Sequence, residues 1–354
     1  MDAILLVGGK GTRLRPLTAA TPKPMLPTAG VPFITHQLAR ARDAGVTHVV
    51  LATSYKSEVF SDYFGDGSRV GIELEYVHEA EPLGTGGGIR NVADKLHAGP
   101  DDPVVILNGD VLSGHDLAAQ VALHREFDAA VTLHLTEVDD PRAFGCVPTD
   151  DDGRVTAFLE KDPDPVTNRI NAGCYVFKRS IIDTIPYGVP VSVERDTFPG
   201  LLRDRHLVLG HVDIAYWLDL GTPAAFVRGA CDLVLGNAPG ALSTHGECLV
   251  LDGAAVVSDV GLTGGTCIGE RSSIGHSTIH GSVVFADARV GDGCVIRDSV
   301  IGEGAHIGDG VVLDGVVIGN GAIIGAHCEL LTGARVWPAM VLAPGSVRFS
   351  SDQS

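Results

Sequence analysis

Pairs of an aliphatic residue and a glycine recur through the last third of the chain on a beat of five or six residues. Val284, Ile301 and Ile318 stand 17 residues apart, a length that three such short segments fill. This rhythm is typical of a parallel β-helix, because each coil buries its aliphatic side chains against the coils above and below. The pairs are Ile268-Gly269, Ile274-Gly275, Val290-Gly291, Ile301-Gly302, Ile307-Gly308, Ile318-Gly319 and Ile324-Gly325. We predict a left-handed parallel β-helix; the alternative, an ordinary β-sandwich, does not require so short a repeat.

The first two thirds of the chain alternate apolar runs with helical spacing. Ala3 to Val7 has no polar alternation, which favours a strand buried on both faces. A helix is predicted over residues 33–44, ending at Gly45. Further strands are predicted at 48–53, 72–78, 104–107 and 153–161. The glycine-rich segment that follows Glu81 is predicted to open a helix that runs to about Leu96, whose first N–H groups can donate to an anion or to a base edge. This order predicts an α/β domain with a Rossmann-like, mixed but mainly parallel sheet, whose ligands gather at the carboxyl ends of the strands.

A change in composition separates the two parts. The stretch around Pro239 is rich in glycine and small polar residues, which is typical of a linker. We therefore predict an α/β domain at 1–236, a linker at 237–247, the β-helix at 248–345 and a polar tail at 346–354.

Charge and cysteine content restrict the partners and the compartment. The formal net charge of −18 argues against nucleic acid or an anionic membrane as a partner. The seven cysteines are odd in number and form no Cys-x-x-Cys pair, which favours a reduced, cytoplasmic chain. We also expect no signal peptide, and no apolar run approaches membrane-spanning length.

The first predicted strand runs into a loop suited to an anion. Gly8, Gly9 and Gly11 let the backbone come close to a ligand, and their N–H groups can point at phosphate oxygens. The loop and the segment after it also carry four cations, Lys10, Arg13, Arg15 and Lys23. The spacing fits neither a P-loop nor a dinucleotide fingerprint. The loop therefore predicts binding of a nucleoside triphosphate by another arrangement.

Gly8-Gly-Lys-Gly-Thr-Arg-Leu-Arg-Pro-Leu-Thr18, with Pro22-Lys-Pro24, resembles the signature of the sugar-phosphate nucleotidyltransferases. The resemblance extends over nearly the whole chain and is greatest to the bacterial mannose-1-phosphate guanylyltransferases. It implies transfer of a nucleotidyl group from a nucleoside triphosphate to a sugar 1-phosphate, with release of pyrophosphate and with Mg²⁺ as cofactor. GTP and mannose 1-phosphate are the expected substrates.

Other functions remain as alternatives. Glucose-1-phosphate thymidylyltransferases or uridylyltransferases share the opening loop. Acyl transfer by the β-helix is another alternative, because that part of the chain contains histidines. Against it, the repeat is short and is not interrupted by a long loop that could cover an acyl donor. Those histidines include His276, His280, His306 and His327. A catalytically inactive sensor of sugar nucleotides is disfavoured, because the charged residues that the chemistry needs are present.

Two aspartates are candidate metal ligands. Asp110 ends an apolar strand after Asn108-Gly109, a dipeptide that is also common in hairpin turns, and Asp219 lies before a Gly-Thr-Pro turn. The resemblance implies that Asp110 and Asp219 bind Mg²⁺, which is commonly held by one or two carboxylates together with substrate phosphates.

The resemblance also assigns the remaining site residues. It implies that Arg13 and Lys23 are catalytic. The nucleotide-binding set is Gly8, Gly9, Gly11, Thr12, Pro82, Gly84 and Thr85, and the sugar-phosphate set is Gly145, Glu160, Lys161 and Asn171. Without the resemblance, Glu160-Lys161 would be interpreted as an ordinary solvated pair. The block Ser192-Val-Glu-Arg-Asp-Thr-Phe-Pro199 matches the family too, but the sequence suggests no firm role for it. We also expect a homo-oligomer, because stacked β-helix coils expose edges and flat faces.

Overall fold

The computed structural model describes residues 1–54, 56–160, 163–242 and 245–348, and their contacts fall into two compact units. The first contains residues 1–9 and 37–217; the second contains residues 10–36 and 218–354, of which 243, 244 and 349–354 lie outside the described residues. Those exceptions include part of the predicted linker and most of the predicted tail. The domain boundaries drawn from the sequence stay a prediction.

In the described part of the first unit, nine strands form one mixed sheet, in the order β10-β9-β11-β6-β1-β4-β5, with β8 beside β11 and β12 beside β8. The strands are β1 Asp2–Leu6, β4 His48–Thr53, β5 Glu73–His78, β6 Pro103–Asn108, β8 Val131–Glu137, β9 Gly145–Cys146, β10 Leu159–Glu160, β11 Arg169–Lys178 and β12 Val208–Val212. Shorter strands of the chain are β2 Pro27–Thr28, β3 Val31–Pro32, β7 Val111–Ser113 and β13 Trp217–Asp219. Strands β6, β1, β4 and β5 are parallel, whereas β11 is antiparallel to β6 and β8.

The α-helices among the residues described are α1 Phe33–Asp43, α2 Glu58–Phe64, α3 Gly84–Asn91, α4 Leu117–Glu126, α5 Arg179–Asp183, α6 Phe198–Arg203 and α7 Pro223–Leu235. The core of the first unit lies around the central strands, where Ile4, Val50 and Ile106 have no exposed surface. The Rossmann-like, mainly parallel arrangement predicted from the sequence is confirmed. None of the helices in the described parts of the chain combines the length and apolar character needed to cross a membrane.

Two local predictions need correction. The stretch 153–161 is predicted to be one strand, but within its described part, residues 153–160, only Leu159–Glu160 forms a strand, while Arg154 and Val155 form isolated bridges. The helix expected to run to about Leu96 ends at Asn91 and is followed by a 3₁₀ turn at Ala93–Lys95.

The residues described in the second unit form three parallel sheets, as expected of a β-helix. Their strand orders are β14-β17-β20-β23-β26-β29, β15-β18-β21-β24-β27-β30 and β16-β19-β22-β25-β28. The strands are β14 Cys248–Val250, β15 Ala255–Val256, β16 Gly261–Thr263, β17 Thr266–Ile268, β18 Ser273–Ile274, β19 Thr278–His280, β20 Val283–Val284, β21 Arg289–Val290, β22 Val295–Arg297, β23 Val300–Ile301, β24 His306–Ile307, β25 Val312–Asp314, β26 Val317–Ile318, β27 Ile323–Ile324, β28 Glu329–Leu330, β29 Arg335–Val336 and β30 Val341–Leu342.

The coil register matches the 17-residue spacing. Val284 pairs with Ile301 and Ile301 pairs with Ile318, and all three are buried. Glycine is needed at the bends because adjacent coils lie close together: a Cβ at Gly302 would be 2.6 Å from the backbone nitrogen of Asn320. These parallel sheets are consistent with the predicted left-handed β-helix.

Candidate active site

In the second unit, the opening loop folds back on the segment that follows it. Gly11 has a φ of +58°, and a Cβ there would lie 3.1 Å from Lys23 Cβ and from Thr18 Cγ2. Thr18 Oγ1 donates a hydrogen bond of 2.7 Å to Gly11 O. A side chain at position 11 would therefore force apart two segments that each carry a predicted catalytic residue. Thr12, predicted to bind nucleotide, is exposed and begins a 3₁₀ turn that ends at Leu14.

Arg13, Lys23 and Asp219 come together in this unit. Lys23 is buried, and its Nζ lies 3.8 Å from Asp219 Oδ1. Gly221 has no side chain and so leaves room for the guanidinium of Arg13 and the carboxylate of Asp219. A Cβ there would be 2.6 Å from Arg13 Nη2 and 3.0 Å from Asp219 Oδ2. Two cations beside one carboxylate leave an excess of positive charge, which suits a polyphosphate. The structure therefore groups both predicted catalytic residues with one predicted metal ligand.

In the first unit, Gly8 and Gly9 follow strand β1. The Gly8 carbonyl accepts a hydrogen bond from Ser54 Oγ. A Cβ built at Gly9 would meet no atom of the described chain within 4 Å, and this glycine is exposed. The backbone at Gly9 is thus accessible, and binding of a nucleotide there stays a prediction.

Glu79 is a candidate site residue that the sequence did not point to. A Cβ at Gly88 would lie 2.7 Å from Glu79 Oε1, and one at Gly8 would lie 3.8 Å from Oε2, so this carboxylate lies near both glycine-rich segments. Burial raises the pKa of Glu79, an effect opposed by a hydrogen bond from the Leu83 backbone and by the charge of His78. Its place in the sequence could have indicated this, because Glu79 is an acidic residue directly after strand β5, which ends near the glycines.

The turn that carries Asp110 is held from two sides. Gly109 N donates to Leu6 O at 2.9 Å, and a Cβ at Gly109 would be 2.5 Å from that oxygen. From helix α1, the side-chain nitrogen of Gln37 donates to Asn108 O at 2.7 Å and to Val111 O at 2.9 Å. Strand β6 pairs with β1 and β11, so Asn108-Gly109 does not close a hairpin between β6 and β7. The sequence did not point to Gln37. Its position as a polar residue on an otherwise apolar helix face could have indicated a buried contact.

The side-chain oxygen atoms at this turn are suitable ligands for a hard divalent cation. Asn108 Oδ1 is buried without a hydrogen-bond partner among the described residues, and the carboxylate of Asp110 is close by in the chain. Amide and carboxylate oxygens are the ligands that Mg²⁺ and similar ions prefer. Asp110 belongs to the first unit and Asp219 to the second, so their pairing at one ion stays a prediction.

A second group of possible ligands, Asp2, His48 and His97, lies in the first unit with ligand atoms within 4.8 Å of one another. The rings of His48 and His97 stack with centroids 4.2 Å apart and planes 15° from parallel. Because a metal binds a histidine nitrogen in the plane of the ring, stacked rings direct their lone pairs side by side instead of at one ion. Asp2 Oδ2 also accepts backbone hydrogen bonds from His97 and Ala98. We interpret this cluster as packing.

The glycine-rich helix α3 is packed against Val191, the residue directly before the Ser192 block. The backbone N–H groups of Gly86 and Gly87 donate to Val191 O, at 2.8 and 3.2 Å. A Cβ at Gly84 would lie 2.6 Å from that same oxygen. The expectation that this helix start offers its N–H groups to a ligand is therefore wrong at Gly86 and Gly87, where close packing consumes the donors.

Thr85 connects the same two segments. Its Oγ1 donates to Glu194 Oε2 at 2.9 Å and accepts from Val193 N at 2.9 Å. The Ser192 block, for which the sequence suggested no role, thus buttresses the predicted nucleotide loop. Pro82, the remaining member of that predicted set, is exposed.

Three of the predicted sugar-phosphate residues lie on adjacent strands. Gly145 of β9 pairs with Glu160 of β10, and a Cβ at Gly145 would be 2.8 Å from Glu160 Oε2. Asn171, on the neighbouring strand β11, donates to Tyr175 Oη at 2.9 Å, and its Oδ1 accepts from Gly173 N at 3.2 Å. Asn171 therefore also shapes the irregular part of its own strand. Lys161 lies outside the described residues.

Comparison with known proteins identifies the family. The family model described as nucleotidyl transferase matches residues 2–234, and the model of the GMPPB C-terminal domain matches residues 244–351. The chain belongs to the nucleotidyl transferase family. Enzymes of this family generally use a divalent metal ion, and a nucleoside triphosphate and a sugar phosphate are the substrates.

This nucleotidyl transferase resembles named enzymes over most of its length. It is 61% identical to the mannose-1-phosphate guanylyltransferase of Mycobacterium tuberculosis, over 99% of this chain and 98% of that protein. It is 33% identical to mannose-1-phosphate guanylyltransferase 1 of Arabidopsis thaliana, over 84% of this chain and 78% of the relative. The crystal structure of HddC from Yersinia pseudotuberculosis complexed with GMP-PN is 30% identical, with a TM-score of 0.55 over 66% of this chain and 99% of that one.

Proposed function

We propose that this nucleotidyl transferase forms GDP-mannose and pyrophosphate from GTP and mannose 1-phosphate. The observation that carries the proposal is the 61% identity to the Mycobacterium tuberculosis mannose-1-phosphate guanylyltransferase, which covers nearly all of both chains. The guanine nucleotide analogue named in the Yersinia pseudotuberculosis structure supports the same choice of base.

The reaction needs positioning and charge stabilisation more than covalent chemistry. A phosphate oxygen of mannose 1-phosphate attacks the α-phosphorus of GTP. The bond from that phosphorus to the oxygen bridging the β-phosphorus breaks, and this oxygen leaves as part of pyrophosphate. We assign Arg13 and Lys23 to the negative charge that grows on the phosphate oxygens during this step. Their position beside Asp219 supports the assignment, because the group as a whole is cationic.

The other residues bind and orient the substrates in this proposal. For nucleotide binding we propose Gly8, Gly9, Gly11, Thr12, Pro82, Gly84 and Thr85. For the sugar phosphate we propose Gly145, Glu160, Lys161 and Asn171. We propose Mg²⁺ as the metal and Asp110 and Asp219 as its protein ligands; the ion would supply charge neutralisation at the phosphates.

Two further properties belong to the proposal. The acidic composition and the pattern of free cysteines support a cytoplasmic enzyme. The flat sheets of the β-helix support a homo-oligomer, which sedimentation velocity of the full-length protein tests; a monomer at micromolar concentration would exclude it.

Substrate choice is tested by following pyrophosphate release over a matrix of GTP, ATP, UTP and dTTP with mannose 1-phosphate and glucose 1-phosphate. GTP with mannose 1-phosphate should have the highest kcat/KM. A base that leaves polar groups of the pocket unpaired is discriminated by a factor on the order of 10⁴. The assignment is falsified if a pyrimidine triphosphate is preferred, and the general reaction is excluded if no pair releases pyrophosphate with Mg²⁺ present.

A further inference from the structure

In the second unit, one residue of the β-helix contacts the backbone of the loop at residues 11–15, which carries the proposed catalytic residue Arg13. Arg335 Nη1 donates hydrogen bonds to Arg13 O at 2.9 Å and to Arg15 O at 2.8 Å. Arg335 begins strand β29, where the neighbouring Val336 is buried in the core of the β-helix and Arg335 itself is exposed. A single guanidinium nitrogen thus connects a rigid coil to two carbonyls of the loop.

The loop needs such a partner because of its local structure. Within the 3₁₀ turn, Leu14 N donates to Gly11 O and Arg15 N donates to Thr12 O. The carbonyls at the end of a short helical turn have no donor inside the turn and require donors from elsewhere. Leu14 has no exposed surface and fixes the inner side of the turn. Arg335 supplies charged donors to the carbonyls on either side of Leu14.

We infer that Arg335 is a positioning residue for nucleotidyl transfer, acting through Arg13. It holds the Arg13 backbone so that the guanidinium stays beside Gly221 and Asp219. The inference rests on the proposed role of Arg13 in stabilising the transition state. Hydrogen bonds from a charged donor are stronger than neutral ones, and a small displacement of a catalytic group lowers the rate steeply.

The experiment compares Arg335→Met and Arg335→Lys in the full-length enzyme, with Arg289→Met as control. Arg289 also begins a two-residue strand, β21, in which an exposed arginine precedes a buried valine. This strand belongs to a different sheet of the β-helix. Arg335→Met should lower kcat about 10-fold while KM for GTP and mannose 1-phosphate changes by less than about 2-fold. Arg335→Lys should recover most of the rate, because one ammonium group can donate to both carbonyls. Arg289→Met should behave as the unmodified enzyme.

A second measurement separates positioning from general stabilisation. In an Arg13→Lys background, the effect of Arg335→Met on kcat should shrink to less than about 2-fold, since residues that act as a unit are not additive. An unchanged kcat in Arg335→Met, an equal loss in Arg289→Met, or an effect confined to KM for GTP would each overturn the inference. If Arg13→Lys itself leaves kcat unchanged, the proposed role of Arg13 fails first, and the inference fails with it.

Discussion

Gly221 lies where any side chain would collide with the guanidinium of Arg13. A Cβ at position 221 would be 2.6 Å from Arg13 Nη2, well inside van der Waals contact. The same atom would be 3.0 Å from Asp219 Oδ2. The absence of a side chain at this position thus allows the guanidinium of Arg13 and the carboxylate of Asp219 to approach each other.

Gly221→Ala should therefore impair catalysis more than folding. We expect kcat to fall roughly 10²-fold because Arg13 must move, while the melting temperature changes little. Steady-state kinetics and thermal circular dichroism measure the two effects. Gly246→Ala is the matched control, since a Cβ there would meet only Cys248 O at 3.8 Å within 4 Å among the described residues. A normal kcat in the Gly221→Ala variant would show that this close approach is not needed.

Arg13→Ala and Lys23→Ala should each lower kcat more than they raise KM for GTP. If both side chains stabilise charge that grows in the transition state, each loss should amount to about 3 kcal/mol of activation free energy. Initial rates over a range of GTP concentrations separate the two constants. A change restricted to KM would mean that the residue contributes to binding alone.

Asp110→Asn and Asp219→Asn should each abolish Mg²⁺-dependent pyrophosphate release. An amide oxygen keeps the shape of the side chain but removes the charge that a hard divalent ion requires. Rates are measured across a Mg²⁺ titration, with far-ultraviolet circular dichroism to confirm folding. Near-normal activity of either variant would exclude that aspartate as a metal ligand.

Gln37→Met should loosen the turn that carries Asp110. Met has a similar length but cannot donate to the carbonyls of Asn108 and Val111. We expect the free energy of unfolding to fall by about 1–3 kcal/mol, and the Mg²⁺ concentration for half-maximal rate to rise. Urea unfolding and a Mg²⁺ titration measure these changes. Thr35→Val, on the same helix, is the control, and an unchanged Mg²⁺ requirement in Gln37→Met would contradict the proposed coupling.

Stability should decrease as the pH falls below 6.5. Burial, assisted by the charge of Lys178, lowers the pKa of His124 from 6.5 to about 4. The unfolded chain then binds more protons than the folded one below pH 6.5. The stabilisation is complete above that pH and is lost progressively as the pH falls to about 4. For His124 alone the loss at pH 5 is about 2 kcal/mol.

Urea unfolding of His124→Gln at pH 7 and pH 5 tests this assignment. Glutamine can still bond to Thr132 Oγ1, which contacts His124 Nδ1 at 3.0 Å, but it does not titrate. The difference in unfolding free energy between the two pH values should shrink in this variant. The exposed His276→Gln serves as control. An equal pH dependence in all three proteins would refute the role of His124.

Much of the fold was predictable because it repeats or follows local rules. The pairing of Val284 with Ile301 and Ile318 leaves a 17-residue trace in the chain, since every coil buries the same kind of side chain in the same place. Buried parallel strands likewise appear as apolar runs that end in glycine or aspartate, and these runs pointed to Gly9 and Asp110 as candidate site residues. Those features depend on near neighbours or on a regular period.

Single long-range contacts leave no such trace, and only the tertiary structure revealed them. Gln37 contacts Asn108 across 71 positions, Thr85 contacts Glu194 across 109, and Arg335 contacts Arg13 across 322. Each contact joins two elements at a single place and does not repeat along the chain. In the sequence, neither partner can therefore be distinguished from an ordinary polar residue. The sequence alone therefore determined the architecture, and it pointed to the loops that we propose carry the chemistry. The packing of distant elements determined how those loops are held.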